Sequence, residues 1–514
     1  MVVLVMIIGQ SERKQIIEGC RSMAMGNRII RKSTINKTIR YLKKNGIGHA
    51  FYAVRERIEE EKRDDYHYVE PSKDLLEAQS RETEDLSCLF SIVVPAYETK
   101  QEFLRGMIDS VRRQSYGRWE LILIDASPGS SVEAAVKKVM EETGDSRIRY
   151  RHLGENKGIS GNTNAGIMMA KGDYIALLDH DDLIAPDALY HMVMALKDAG
   201  QQGDRPVMLY TDEDKYEGRT DGATQETHRE MNRDSCYISP HRKEKFNLDL
   251  ILSNNYICHF MAVEAELMKS LQLRGKYDGA QDYDLVLRVV DRLYGTVPVQ
   301  AMQQYIVHIP KVLYHWRCHA GSTAENTASK SYAYEAGRQA LQDFCKKQGW
   351  NVRVSHSLHL GFYRVNYLPD LLAMRKETGI VGGRILDRHN RICGGAYRED
   401  GACLYQGLHK EYSGGSTHRA VLKQDVYAVD IRCMRVCPGL WRVFEEITGL
   451  PYRERKIRCK IDGVREERNL ADLSGLSCDE AGYRKLSMEL GQAAANQGYL
   501  VVWDPELTVS AGRD

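Results

Sequence analysis

Between residues 90 and 210, apolar residues follow two alternating spacings. Unbroken runs at Phe90-Ser91-Ile92-Val93-Val94, Leu121-Ile122-Leu123-Ile124, Tyr174-Ile175-Ala176-Leu177-Leu178 and Val207 to Tyr210 predict short strands buried on both faces; the first is stopped by Pro95. Ile148 to His152 adds a weaker strand. Between them, Leu104, Met107, Ile108 and Val111 recur at i, i+3, i+4 and i+7. So do Val132, Ala135, Val136 and Val139, and then Leu189, Met192, Val193 and Leu196. These spacings predict helices with one buried face. A Gly-rich turn opens a further helix from about Ser160 to Ala170. Strand and helix therefore alternate, which predicts an α/β domain with a mostly parallel sheet and helices on both faces.

In such a sheet, ligands bind outside the carboxyl ends of the strands. That rule selects Pro95 to Glu98, Asp125 to Ser127, Lys157 to Asn164, and Asp179 to Asp182. The last is the sharpest signal. In extended backbone Asp179 and Asp181 point the same way and His180 the other. Two carboxylates aimed at one spot repel unless a cation lies between them, and Mg²⁺ or Mn²⁺ suits oxygen ligands. The competing reading is an acidic turn in which Asp182 caps the following helix.

Composition narrows the classes. The chain has 514 residues, 72 Lys+Arg against 71 Asp+Glu, 43% hydrophobic and 28% charged residues. That is a globular balance with room for several domains. A net charge of +1 argues against a nucleic-acid partner, whose footprint is a strongly basic surface. The 12 cysteines make no C-x-x-C pair, as expected of free thiols in a reducing cytoplasm. Met1 to Gly9 is apolar but has no basic n-region and is too short to span a bilayer, and no uncharged apolar run of membrane-spanning length occurs. The expectation is a soluble cytoplasmic chain. The basic stretch Arg28 to Lys44, with Ile35, Ile39 and Leu42, offers either a solvated helix or a peripheral contact on the inner face of the cell membrane.

Eight segments occur in a telling order: F-S-I-V-V-P-A-Y-E, W-E-L-I-L-I-D-A-S, N-K-G-I-S-G-N-T-N-A-G, G-D-Y-I-A-L-L-D-H-D-D, Y-T-D-E-D-K, S-N-N-Y-I-C-H, G-A-Q-D-Y-D-L-V-L-R and I-P-K-V-L-Y-H-W-R. Together, over roughly residues 88–345, they resemble family 2 glycosyltransferases, and within these the bacterial enzymes that build rhamnose-containing or related cell-surface polysaccharides. The resemblance implies a GT-A fold and inverting transfer of a sugar from a nucleotide-diphosphate donor to a saccharide or lipid-linked saccharide acceptor.

It also implies roles. Pro95, Ala96, Tyr97 and Glu98 would line the base and ribose, with Asp125 accepting from the base N–H. Lys157 and Gly158 would meet phosphate at a helix start. Asn164 would lie in the donor site or brace backbone groups. Asp179 and Asp181 would hold Mg²⁺ or Mn²⁺ against the diphosphate, with His180 near the ribose. Asp282 would be the general base, Asp284 its rival. His315 would complete the metal site or be a satisfied core histidine, and Asp212 and Asp214 would meet sugar or acceptor or form an acidic loop. The chain departs from the family pattern at Ala126, Thr163 and Gln281, where a second acid, an Arg and a Glu are common.

Outside this region, residues 1–85 read as a helical, charged extension and 86–350 as the GT-A domain. Residues 351–514 read as a degenerate second glycosyltransferase-like domain: Ile380-Val381-Gly382-Gly383 has no second strand-end donor loop and no second D-x-D. Two other functions fit the same residues less well. A catalytically inactive nucleotide-sugar-binding scaffold would need no intact Asp179, Asp181 and Asp282. A nucleotidyltransferase would carry a Gly-rich phosphate loop where Pro95-Ala96-Tyr97-Glu98 stands.

Overall fold

The computed structural model describes residues 46, 48–60, 65–218, 237–319, 331–461 and 464–511. The chain divides into two units, Met1–Tyr52 and Ala53–Asp514. In the first, the described residues are helical. Most of the predicted N-terminal extension, including Met1 to Gly9 and Arg28 to Lys44, lies outside the described residues. The rest of this description concerns the second unit.

Its main elements are α1 (Lys73–Glu82), β1 (Phe90–Ala96), α2 (Gln101–Arg112), β2 (Trp119–Asp125), α3 (Ser131–Thr143), β3 (Ile148–His152), α4 (Gly158–Met169), β4 (Tyr174–Leu177) and β5 (Leu183–Ile184). They are followed by α5 (Ala188–Gln201), β6 (Met208–Tyr216), β7 (Tyr237–His241), α6 (Leu248–Ile251), β8 (Met261–Glu264), α7 (Ala265–Leu271), α8 (Gln281–Leu293) and β9 (Ile306–Arg317). Among the described residues these strands form one nine-stranded sheet in the order β3-β2-β1-β4-β8-β6-β9-β5, with β7 on β6.

The β3-β2-β1-β4 part is parallel, as the alternating pattern predicts: Val93 lies opposite Ile122 and Leu177, and Leu121 opposite Ile148. Strand β8 then runs antiparallel to β4 and to β6, and β6 pairs parallel with β9. This reversal matters for the site. It puts the amino end of β8, rather than its carboxyl end, beside the loop that leaves β4.

Alternation along the parallel strands splits the apolar residues between two layers. Ile92, Val94, Leu121 and Leu123 pack with Leu104, Met107, Ile108 and Val111 of α2 and Val132, Val136 and Val139 of α3. Val93, Ile122 and Ile124 face Ile167 of α4 and Val286, Val289 and Val290 of α8. Each such side chain contributes about 1.5–3 kcal/mol by leaving water. Strand β6 runs six residues past the predicted Tyr210 because its polar half is paired: Asp214 lies opposite His315 on β9, and Glu213 opposite His241 on β7.

Beyond α9 (Ser331–Lys347), a hairpin of Val352–His356 and Tyr363–Tyr367 leads to a second sheet. There Thr378–Leu386 pairs parallel with Leu500–Ser510, and helix Glu480–Asn496 packs beside them. Val381, Ile385, Val502 and Leu507 belong to the same apolar cluster as Val93 and Val290, so the two sheets share a core. Asp479 caps its helix through Gly482 N–H at 2.8 Å, and Glu480 pairs with Arg432 at 2.5 Å. Among the described residues the cysteines form no disulfide, and no helix is long and apolar enough to cross a membrane.

Candidate active site

The carboxyl ends of β1 and β2 are tied together. Glu98, at φ 47°, donates its N–H to Ser127 Oγ at 2.8 Å, and Ser127 N–H donates to Asp125 Oδ1 at 2.8 Å. Asp125 is fully buried; its Oδ2 accepts from Tyr150 Oη at 2.7 Å and lies 3.5 Å from His152 Nδ1. A carboxylate has about four lone-pair directions, so the turn and Tyr150 leave acceptor capacity at this strand end. Tyr97, 45% exposed beside it, presents a ring to solvent.

The start of α4 is built differently from the expectation of free N–H groups. Lys157 N–H donates to Asn162 Oδ1 and Gly158 N–H to Asn156 Oδ1, both at 3.0 Å. Asp278 Oδ1 accepts from Ser160 N–H at 3.3 Å and from the Ser160 hydroxyl. Gly158 has φ +76°, and a Cβ there would lie 2.6 Å from Asp278 Oδ2. A carboxylate of the chain therefore already seats against this helix end, and the Lys157 side chain is the exposed cation beside it. Asn164 takes the bracing role: its Nδ2 donates to Leu273 O at 2.8 Å and its Oδ1 accepts from Leu273 N–H at 2.7 Å. Asn164→Ala should strand both backbone groups of the buried Leu273 and lower stability by about 1–3 kcal/mol. An unchanged urea midpoint would refute that role.

After β4 the chain carries the acidic loop. Asp182 does not cap α5, whose N-cap is Asp187. It is buried, accepting from the Tyr314 hydroxyl and from Arg317 N–H at 2.7 Å. Burial raises its carboxyl well above the ordinary range, and the nearby Asp179 and Asp181 add to the shift. Asp181 Oδ2 meets His319 Nε2 at 2.8 Å, and its carbonyl accepts from Arg317 Nε at 2.6 Å. His180 Nδ1 is buried without a hydrogen-bond partner, 3.9 Å from Asp181 Oδ1.

Burial also raises Asp179. The charges of Asp181 and Asp282 push the same way, while His259 and His180 oppose them. Asp282 is thus among the charges that act on the acidic loop.

Asp282 is the second residue of α8, half-buried, and its Oδ2 accepts from Asn255 Nδ2 at 2.9 Å. The rival Asp284 is buried between Arg274 Nε at 3.0 Å and Arg288 Nε at 2.9 Å, so it anchors the helix. Gln281 Oε1 accepts from Gly279 N–H at 2.7 Å, an orienting bond that a neutral amide supplies without adding charge beside Asp282.

His315 lies on the other side of β9 from Tyr314. Its Nδ1 meets Asp214 Oδ1 at 2.7 Å, Asp214 Oδ2 accepts from Tyr66 Oη at 2.7 Å, and the imidazole is wedged between Tyr68 and Tyr237 at 4.4 and 4.6 Å. Asp212 is likewise engaged, by His308 Nε2 at 2.7 Å and Lys243 N–H at 2.8 Å. Alternation along β9 accounts for this: Tyr314 reaches the acidic loop, His315 points away, and the imidazole on Asp181 comes from His319 beyond the strand end.

Sequence reasoning also passed over His259, which enters from the amino end of β8. Its N–H and Nδ1 meet Glu213 Oε2 at 2.5 and 3.3 Å, and its ring stacks on Tyr314 at 5.2 Å. Burial disfavours the charged imidazole, yet Cys258 and Glu213 together raise it well above the ordinary histidine value. Burial alone would raise Glu213, but the charges of Lys243 and His259 hold it well below the ordinary carboxyl. The only sequence signal for His259 lay in the S-N-N-Y-I-C-H segment.

Two carboxylates and an imidazole form a donor set that suits a hard divalent cation. Among the described residues no three His, Cys, Asp or Glu side chains already converge on one point. Of these groups, Asp181 and His319 are the pair seen in contact, at 2.8 Å.

The sequence profile of Glycosyl transferase family 2 matches residues 91–270. An uncharacterized protein, y4gI of Sinorhizobium fredii, is 38% identical over 50% of this chain and 25% of its own length. The O-antigen biosynthesis protein RfbC of Myxococcus xanthus is 30% identical over 54% of this chain and 20% of its own. The chain thus spans a quarter or less of these two relatives. A solved structure of Staphylococcus aureus TarS (residues 1–349) with UDP covers 50% of this chain and 65% of that one at 15% identity, with a TM-score of 0.34. The profile match and these relatives thus make residues 91–270, the stretch that carries the strand-end acidic loop, similar to glycosyl transferase family 2.

Proposed function

We propose that the protein is a metal-dependent inverting glycosyltransferase of the GT-A type. It moves a sugar from a nucleotide-diphosphate donor to a saccharide or lipid-linked saccharide acceptor in cell-surface polysaccharide synthesis. The observation that carries this reading is the acidic loop after β4, where Asp181 meets His319 at 2.8 Å, together with Asp282 at the start of α8, whose carboxylate is held by Asn255 at 2.9 Å. A donor-side carboxylate pair and an acceptor-side carboxylate are what a single displacement at an anomeric carbon needs. Asp179, Asp181 and His319 would hold Mg²⁺ or Mn²⁺, which supplies charge stabilisation for the departing nucleotide diphosphate.

The chain's own groups supply the rest. Tyr97 packs on the base, and Asp125 accepts from its N–H. Lys157 adds positive charge where the diphosphate lies. Asn255 orients the Asp282 carboxylate so that its free oxygen takes the proton of the attacking acceptor hydroxyl as the glycosidic bond forms and the donor bond breaks. His259, held by Glu213, balances the negative charge of the acidic loop.

Incubation with a panel of nucleotide sugars and Mn²⁺ or Mg²⁺ should release nucleotide diphosphate. A chelator should lower the rate at least about 100-fold, and added cation should restore it. If calorimetry with the metal present detects binding of no nucleotide sugar, the proposal fails.

A further inference from the structure

The connection from α6 to β8, residues 252–260, reaches both halves of the candidate site. Asn255 Nδ2 holds the Asp282 carboxylate at 2.9 Å. Four residues on, the His259 ring stacks on Tyr314 at 5.2 Å and lies 5.0 Å from the Trp316 ring. The Tyr314 hydroxyl in turn donates to Asp182 of the acidic loop. One short segment therefore runs from the candidate base to the acidic loop.

This segment is fixed by a buried ion pair. Lys243, just past β7, has no exposed side-chain surface. Its ammonium donates to Ile257 O at 2.9 Å, to His259 O at 2.8 Å and to Glu213 Oε2 at 3.1 Å, which uses all three of its N–H groups. Glu213 Oε2 also accepts from His259 N–H and meets His259 Nδ1. Taking an ammonium and a carboxylate out of water costs several kcal/mol each. Here both are committed to placing one imidazole.

That imidazole is not closed into the core. Glu213 occupies its Nδ1 edge and Tyr314 one face, yet 25% of its side-chain surface is exposed. The contact at Nδ1 sets the ring, so the opposite edge, with Nε2, keeps a fixed direction. Charge agrees with the position: burial raises Asp179, and His259 is the strongest of the charges that hold it back. A sugar in transit has to lie between the group that holds its diphosphate and the base that activates its acceptor. Residues 255–259 flank that path.

We propose, on the transferase reading of Asp179, Asp181 and Asp282, that His259 hydrogen-bonds a hydroxyl of the transferred sugar through Nε2, with Glu213 and Lys243 as its positioning pair. Choice of donor sugar then falls to a residue outside the acidic loop. A sugar that lacks the hydroxyl leaves a prepared polar group unpaired and is rejected.

Calorimetry with Mn²⁺ present separates sugar from diphosphate. The probes are UDP-N-acetylglucosamine, UDP-glucose, GDP-mannose and dTDP-rhamnose, each beside its own nucleoside diphosphate. For a nucleotide sugar that wild type binds, His259→Ala should weaken binding about 10- to 100-fold, the loss expected for one hydrogen bond to a charged group, and should change the affinity for the matching diphosphate less than about threefold. Equal losses for both ligands put His259 at the phosphates or in the core and overturn the proposal, as does an unchanged nucleotide-sugar affinity. Binding of no nucleotide sugar by wild type sinks the transferase reading itself, whereas binding that His259→Ala leaves intact sinks only the role of His259.

Glu213→Gln keeps an oxygen for His259 N–H and removes the charge, so it tests the positioning pair and stands in for a His259→Ala that does not fold. It should show the same split, with the nucleotide sugar weakened and the diphosphate retained. A merely structural role would lower both together, and that result overturns the proposal.

Discussion

Asp282→Asn should lower kcat for sugar transfer about 10²–10⁴-fold, the range a positioned general base contributes, with little change in nucleotide-sugar affinity. The substitution keeps the side chain's shape, and an asparagine oxygen still accepts from Asn255 Nδ2, which lies 2.9 Å from Asp282 Oδ2. What disappears is the ability to take a proton from the acceptor hydroxyl. Asp284→Asn is the internal control. Asp284 is closed off by Arg274 and Arg288, so its loss should appear as lower stability and not as a selective fall in kcat. If Asp282→Asn retains more than a tenth of wild-type kcat, Asp282 is not the base.

Arg375→Met should cost about 3–5 kcal/mol of stability, the usual result of removing one partner from a buried ionic cluster. Arg375 has no exposed surface; it donates from Nη1 to Asp249 Oδ1 and from Nε to Glu377 Oε1, both at 2.7 Å. Asp249 N–H in turn donates to Asp425 Oδ2 at 3.3 Å, and Asp425 is already raised well above an ordinary carboxyl by burial and by Asp249.

Without the guanidinium, whose charge opposes the shift, the buried Asp425 carboxyl rises further above its unfolded value. The folded variant then binds more protons than its unfolded chain, and its stability falls as pH rises above the ordinary carboxyl range. The deficit against wild type should therefore be larger at pH 7 than at pH 4.5 in urea unfolding. A deficit below about 1 kcal/mol at pH 7 would show that the cluster does not hold the two sheets together.

The parts of this architecture visible in the sequence were those set by local periodicity. Phe90 to Val94, Leu121 to Ile124 and Tyr174 to Leu178 are strands because they are apolar on both faces, and the helix spacings of α2, α3 and α5 were explicit. Strand-end placement then led from Leu178 to Asp179 and Asp181, and the resemblance to family 2 glycosyltransferases led to Asp282.

What the sequence did not reveal depends on partners more than a hundred residues away. Asp182 reads as a helix cap until Tyr314 and Arg317 are seen to enclose it. His315 and His319 are both near the end of β9, and only the direction of the strand decides which meets Asp181. His259 was hidden for a topological reason. The rule that ligands gather at carboxyl ends of strands does not look at an antiparallel strand, whose amino end is the one that faces the site.

The carboxylate of Asp278 on Ser160 has a consequence for engineering. Asp278 lies four residues before Asp282, so the loop that carries the candidate base is stapled to the helix start proposed to meet the donor phosphates. Exchanging that loop for one from another acceptor class, without residues 158–160, would sever the staple. Acceptor grafting in this scaffold therefore has to treat the two segments, more than a hundred residues apart in the chain, as one transplantable cassette.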